Sequence, residues 1–335
     1  MRDIEARGLL FVGDPHLSSR APHRRTDNYT AAVMDKLAQA CAMANERDLL
    51  LVCLGDLFDR PRDTAPGMLS ALMRLFSGLR IRGVTLVGNH EKVTSHLTDD
   101  TALGVLAASG TIDVASSNGA IARVTTPDGR IWLYGSPHGE KIPSVIRPPA
   151  REESDRVILI THHDLAISGA SYPGSVDPLP IEGCDIVVNG HDHTTKPWQD
   201  VGGTLYCNIG NITRVSVAQI DHRPAVYAYT GGDLERIELA YEKDVFDLTG
   251  YHAPTASGKD LAQSLAAEPS RFVQMLRDER AASVKASEDG VEIRAEIDAV
   301  LAERRAQTDK PLPAGLPEVL EQIFNRAKDA AHHTT

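Results

Sequence analysis

The 335-residue chain has no run approaching about 18 consecutive apolar residues, so no membrane-spanning helix and no membrane partner are expected. Its first residues, MRDIEARGLLFVGD, lack a basic segment followed by a long apolar stretch, and no secretory leader is expected. Cysteine is sparse: Cys41, Cys53, Cys184 and Cys207 form no CxxC pair. Neither a thiolate metal site nor a disulfide framework is expected from that spacing, and a reduced, cytoplasmic setting fits best. An excess of basic charge is also missing, the net charge being −11. Proteins that hold nucleic acid through its phosphates usually present a basic surface. A nucleic-acid substrate would therefore need local positive charge, such as that of bound metal ions.

What is present is a repeated unit. A short apolar run ends five times in a polar cluster: 9–12 in Gly13-Asp14-Pro15-His16, 49–54 in Gly55-Asp56, 84–87 in Gly88-Asn89-His90-Glu91, 157–160 in Thr161-His162-His163-Asp164, and 186–188 in Asn189-Gly190-His191-Asp192-His193. Apolar runs of this length suit strands buried on both faces. Residues 30–45 and 66–79 carry helical spacing between the first three runs, which argues for an α/β core. In such sheets ligands gather where loops leave the carboxyl ends of the strands. All five clusters occupy that kind of position.

Downstream, 203–209, 215–220, 225–230 and 234–239 read as four strands of a meander, with turns at 221–224 and 231–233. From about residue 250 the character changes to charged, amphipathic segments (259–267, 270–285, 291–307 and 317–331) that predict helices. The predicted organisation is an α/β domain over 1–245 and a helical C-terminal extension over 250–335.

Carboxylate, imidazole and amide oxygen together suit first-row divalent ions such as manganese, iron or zinc. Two such ions, about 3.5–4 Å apart, need a bridging ligand. Asp56 is the candidate, since it follows its strand and is preceded by Gly55, which lets the backbone turn. Asp14 and His16 lie two apart on what reads as an extended exit, so both side chains can project to one side, and the same holds for His191 and His193.

The ordered set Asp14-x-His16, Gly55-Asp56-x-x-Asp59, Gly88-Asn89-His90-Glu91, a strand-end histidine and Gly190-His191-x-His193 resembles the calcineurin-like metallophosphoesterase superfamily. The resemblance implies a four-layer α/β/β/α sandwich and a two-metal site. One metal would be held by Asp14, His16, Asp56 and His193, the other by Asp56, Asn89, His162 and His191. Manganese is the leading metal, with iron or zinc as alternatives. His90 would be the catalytic histidine, protonating the leaving oxygen or steadying the transition state, and Asp59 would orient a ligand or His90, unless it caps a helix. His162 and His163 are both candidates for the strand-end ligand. The first directly follows the strand, and the second would then contact substrate or support the ligands. Arg24 and Arg25, with His23, form a basic knot that either grips a substrate phosphate or belongs to a plain surface loop.

Asp14-Pro15-His16-Leu17 and Gly55-Asp56-Leu57-Phe58-Asp59 resemble the SbcD-type DNA-repair nuclease branch. That likeness implies phosphodiester hydrolysis on DNA, as an exonuclease or endonuclease, and C-terminal helices that dock on an SbcC-like coiled-coil ATPase. Glu91 departs from that branch toward phosphatases, and the branch's α/β capping domain is not evident past residue 245. The alternatives are a small-molecule phosphodiesterase or phosphatase, or a catalytically silent scaffold. For the C-terminal helices they are a homodimer contact or simple covering of the sheet.

Overall fold

A computed structural model describes residues 1–22, 24–169 and 175–249. The chain divides into a unit Met1–Thr249 and a unit Gly250–Thr335. The four predicted C-terminal helices and His23 lie outside the described residues.

Two sheets form the centre of the first unit. One has six strands in the order β13 (Asp233–Glu238), β12 (Ala225–Thr230), β2 (Gly8–Val12), β3 (Leu49–Cys53), β4 (Val84–Leu86) and β5 (Asp113–Ala115). The other has seven, in the order β1 (Arg2–Glu5), β6 (Gly119–Thr126), β7 (Gly129–Ser136), β8 (Arg156–His162), β9 (Ile186–Gly190), β11 (Thr204–Asn208) and β10 (Lys196–Val201). Strands β2 to β5 run parallel, as do β7, β8, β9 and β11.

Alternation along the apolar runs explains why they are apolar throughout. Leu9, Phe11, Leu50 and Val52 pack between the sheets against Ile158, Ile160 and Val188. Leu10, Val12, Leu51 and Cys53 face the other way, toward α1 (Tyr29–Arg47), α2 (Pro66–Ser77) and α3 (Ala102–Ser109). Both faces of these strands are removed from water, so neither can carry a polar residue. A third cluster, with Trp132, Leu159, Val187 and Tyr206, covers the outer face of the seven-stranded sheet. Among the described residues that outer layer is loop and a 3₁₀ turn, Ile167–Gly169.

Local signals set the helix ends. Asn28 accepts the Ala31 N–H at the start of α1, and Thr101 accepts that of Gly104 at the start of α3. Pro66 opens α2 at a position that needs no N–H. The expected C-terminal meander is not formed. β11 joins the seven-stranded sheet, β12 and β13 join the six-stranded one, and 215–220 holds a 3₁₀ turn, Val217–Gln219, instead of a strand. There the Gln219 side chain accepts the Val215 N–H at 2.8 Å and donates to Asn211 at 3.1 Å, which satisfies backbone that a strand would have to pair. The hairpin β6–β7 is not among the strands expected from the apolar pattern, although Asp128-Gly129 at its turn is a hairpin signal.

Candidate metal centre

The polar clusters meet because two loops zip together. His16 N–H donates to Asp56 O at 2.9 Å, Leu17 N–H to Leu57 O at 2.8 Å, and Asp59 N–H to Leu17 O at 3.0 Å. This places Asp14, His16, Asp56 and Asp59 together at the carboxyl ends of β2 and β3. The expected extended exit is replaced by left-handed backbone, with φ of 35° at Asp14, 49° at His16, 45° at Asp56 and 77° at His191. Strand parity therefore does not aim these side chains; sharp turns do, at a conformational cost that the surrounding structure has to meet.

From the facing sheet come His162, at the end of β8, and the loop after β9. A buried network holds that loop. Thr161 Oγ1 donates to Asn189 Oδ1 at 2.7 Å, Asn189 Nδ2 to Asn208 Oδ1 at 2.9 Å, and Asn208 Nδ2 to the carbonyls of Asp192 at 2.6 Å and Thr194 at 2.8 Å. Asp192, between the two histidines, caps the Thr194 N–H and pairs with Lys196 at 3.1 Å.

One arrangement in the cluster calls for a shared positive charge. His162 Nδ1 lies 2.8 Å from Leu54 O. A carbonyl only accepts, so the proton is on Nδ1, and in the neutral ring Nε2 carries a lone pair. That nitrogen faces Asn89 Oδ1 at 3.1 Å and Asp56 Oδ2 at 3.2 Å. Three acceptors so close repel one another unless a proton or a cation joins them. His16 Nε2 and His193 Nε2 approach to 2.8 Å, where one ring donates to the other unless a cation takes both lone pairs. Asp14 is fully buried; its Oδ1 accepts the His191 N–H at 3.0 Å, while its Oδ2 has no partner among the described residues. A buried carboxylate oxygen without a donor is costly, and a bound cation removes that cost. In two groups the candidate donor atoms lie within 4.8 Å of one another, His16 with Asp56 and His90, and Asp56 with His162 and His191. Asp56 belongs to both. The donor set therefore fits divalent ions.

The remaining sequence candidates fall as follows. His90 N–H donates to Asp56 Oδ1 at 3.0 Å, and its ring Nδ1 lies 2.6 Å from the main-chain carbonyl of Asp59. The Asp59 carboxylate turns instead to His16 Nδ1, at 3.6 Å. His163 points elsewhere, its Nε2 2.7 Å from Glu140 O. Arg25 pairs with Asp27 through Nε at 2.8 Å and Nη2 at 2.6 Å, and Arg24 donates to the carbonyls of Asp247 and Thr249. Both arginines are thus engaged with the 27 and 247–249 segments, not with the metal cluster.

Three residues to which the sequence motifs assign no role contribute. Glu91 is buried, and its carboxylate accepts the N–H groups of Gly88 at 2.7 Å, Asp56 at 3.1 Å and Phe58 at 3.1 Å. It braces the two loops that carry Asp56 and Asn89. Burial, with Asp56 nearby, pushes its pKa up to about 7. Asp164 Oδ1 sits 2.9 Å from His191 Nε2, which fixes that ring and leaves Nδ1 for the centre. His138, on the loop after β7, brings its ring within 5.7 Å of His191 and 6.3 Å of His162. Glu91 and Asp164 adjoin the motifs in sequence, whereas only tertiary proximity identifies His138.

The family model described as calcineurin-like phosphoesterase matches residues 8–195, more than half of the chain. The chain belongs to that family. No curated protein sequence matches it significantly. A solved structure of a 5'-nucleotidase precursor from Thermus thermophilus is 15% identical with a TM-score of 0.39, and the match covers 77% of this chain and 59% of that one. The chain thus spans less than two thirds of that relative, too distant a likeness to bear on activity. Calcineurin-like phosphoesterases are metal-dependent phosphoester hydrolases, and the matched span holds every residue of the cluster described above. Among the described residues no helix is long and apolar enough to cross a membrane.

In this phosphoesterase site the protons and the metals compete. Burial disfavours charge on His162, but Asp56 and Asp14 beside it prevail and raise its pKa to about 9. Burial raises Asp14 to about 6. Metal binding through His162 and Asp14 would require both groups to be unprotonated. His162 must lose a proton anywhere below its raised pKa, and Asp14 a second one below its own. Metal affinity is therefore expected to fall about tenfold per pH unit below about pH 9 and more steeply below about pH 6. Calorimetric titration of manganese in buffers of different ionisation enthalpy checks this; affinity independent of pH, with no proton release, contradicts it.

Proposed function

We propose that the site hydrolyses phosphodiesters with two divalent ions, manganese being the leading metal, and that DNA is the substrate class. The observation that carries the chemistry is the set of acceptors at His162 Nε2, Asn89 Oδ1 and Asp56 Oδ2, which a shared positive charge reconciles. Asp14, His16, Asp56 and His193 would hold one ion, and Asp56, Asn89, His162 and His191 the other. When bound, the pair supplies Lewis acidity to the phosphoryl oxygens and to attacking water. His162 is preferred over His163 because its Nε2, not that of His163, faces Asp56 and Asn89.

His90 handles the proton. Because Asp59 O accepts from Nδ1, the nitrogen left for substrate is Nε2, which has no partner among the described residues. With the ring protonated, Nε2 donates to the departing oxygen. His138 lies across the site. Its main chain is pinned by N–H donation to Val87 O at 3.0 Å and by Lys92 Nζ donating to its carbonyl, while its Nδ1 is buried without a partner among the described residues. Burial and Lys92 lower its pKa to about 4, so near neutral pH it offers a neutral imidazole. We assign it to holding substrate. His138→Ala is expected to retain both metals and lose about 10–100-fold in kcat/KM, mostly through KM, the value of one hydrogen bond to a charged group. Steady-state kinetics with an aryl phosphodiester and metal analysis on the same sample check it.

DNA is preferred on the Gly55-Asp56-Leu57-Phe58-Asp59 and Asp14-Pro15-His16-Leu17 motifs, as an exonuclease or endonuclease of the SbcD type. An SbcC-like ATPase or a homodimer contact would fall to residues 250–335. The net charge of −11 favours the second reading, a small-molecule phosphodiesterase or phosphatase. One panel separates them: manganese-loaded protein with single- and double-stranded DNA, cyclic nucleotides and an aryl phosphodiester. Degraded DNA supports the first reading. Intact DNA with turnover of a small ester establishes the second.

A further inference from the structure

Away from the metal cluster, the start of α1, the loop before it and residues 240–245 line an open-sided cavity of about 500 Å³. Two of the cations lining it are almost wholly withdrawn from solvent, Lys36 being 5% exposed and Arg214 3%. Buried cations are normally matched by a carboxylate. Arg25, the third cation here, has one, since Asp27 lies 2.6 Å from its Nη2. Lys36 and Arg214 have none within ion-pair distance among the described residues. Lys36 Nζ donates to Ala32 O at 3.0 Å and keeps two further N–H groups. Arg214 donates to the carbonyls of Ile220 at 3.0 Å, Lys243 at 2.9 Å and Glu242, and lies 4.8 Å over the Tyr241 ring. Those contacts fix the guanidinium without neutralising it. The other acidic residues at the cavity, Asp35 and Glu242, are exposed at its rim, where water screens them.

The charges also act on one another. Burial, followed by the nearby positive charge of Arg25 and then Arg214, lowers the pKa of Lys36 to about 8, which still leaves it mostly protonated at neutral pH. A walled space with two unmatched cations at its base is short of an anion.

We propose that this cavity binds a phosphate-class oxyanion, with Lys36 and Arg214 as the recognising cations. An ammonium supplies a compact charge and a guanidinium supplies directed donors, the pairing that suits tetrahedral oxyanions. The volume exceeds what one such ion needs, so inorganic phosphate and the phosphate end of a small ester share the same chemistry here. The site is separate from the proposed chemistry and does not depend on it. Its nearest link to the centre is Tyr29, whose ring lies 5.1 Å from the Arg25 guanidinium and whose hydroxyl donates to His16 O at 2.9 Å.

The test uses full-length protein in chelator, titrated with inorganic phosphate, with sodium chloride at matched ionic strength as the reference. Wild type and Asp56→Ala are compared with Lys36→Met and Lys36→Arg, each checked for native circular dichroism. Phosphate at about ten times its Kd is expected to raise the Tm of wild type and Asp56→Ala by roughly 3–6 °C. Lys36→Met should show no rise, and Lys36→Arg should recover it. Sodium chloride matching the effect would reduce it to screening and overturn the proposal. So would an unresponsive wild type, which would mean an acidic group of the chain already serves as counter-ion. A rise kept by Lys36→Met but lost in Asp56→Ala would move the anion to the metal centre and overturn the proposal as well. Should Lys36→Met not fold, phosphate binding by calorimetry to Lys36→Gln and Lys36→Arg decides between the same outcomes.

Discussion

His90→Ala is expected to keep two metal ions per chain and to lose about 10²–10⁴-fold in kcat, the range for removing a positioned general acid. The separation of metal binding from turnover follows from the bonds His90 makes. Its contact to Asp56, the proposed bridge, runs through the backbone, N–H to Asp56 Oδ1 at 3.0 Å, and alanine preserves it. What alanine removes is the ring, held by Asp59 O at Nδ1 with Nε2 left for the substrate. Asp56 itself keeps its charge, since His162 beside it outweighs burial and holds its carboxyl far below the usual range. The loss should shrink with a better leaving group, because an oxygen that departs as a stable anion needs less protonation. Metal analysis together with kcat for aryl phosphodiesters of graded leaving-group pKa checks both parts. Near-wild-type turnover in His90→Ala would remove this residue from the chemistry.

The sequence made the strands and their polar ends legible because both faces of β2, β3, β8 and β9 are buried and the donors follow them directly. It could not aim the side chains. At Asp14 and His16 the backbone turns left-handed, which no spacing rule foresees. The choice between His162 and His163 depends on register: His162 pairs with Gly190 across β8 and β9, and its ring enters a space lined by Leu54 and Asp56. Glu91 stood out only as a departure from a motif, whereas the fold gives it three N–H groups from two loops to accept. Arg24 and Arg25 show the converse. A basic cluster near a metal motif carries no direction, and their partners, Asp27 and the carbonyls of Asp247 and Thr249, lie elsewhere. The meander failed because β11 and β12, adjacent in sequence, belong to different sheets.

Gly55→Ala tests the packing beneath the metal centre. Gly55 has a φ of 108°, a region closed to side-chain-bearing residues, and an added Cβ would sit 2.5 Å from His162 Nδ1 and 3.0 Å from its Cγ. That is where the His162 N–H reaches Leu54 O, and His162 is fully buried, so its ring has no free space to retreat into. Either the Gly55 backbone or the His162 ring must shift, and both carry the geometry around Asp56. Strain of this kind costs about 1–3 kcal/mol, well inside the roughly 5–15 kcal/mol of a typical domain, so the variant is expected to fold. Misplacing the ring by even a few tenths of an ångström should weaken metal binding about 10–100-fold. The expected result is a folded protein that holds at most one metal at limiting manganese and turns over at a few per cent of the wild-type rate or less. Gly67→Ala supplies the control. That glycine lies in the first turn of α2 with nothing within 4 Å of its added Cβ, so the same chemical change should leave metal content and rate unaltered. If Gly55→Ala behaved like Gly67→Ala in metal analysis and kinetics, His162 would not be the ligand proposed above.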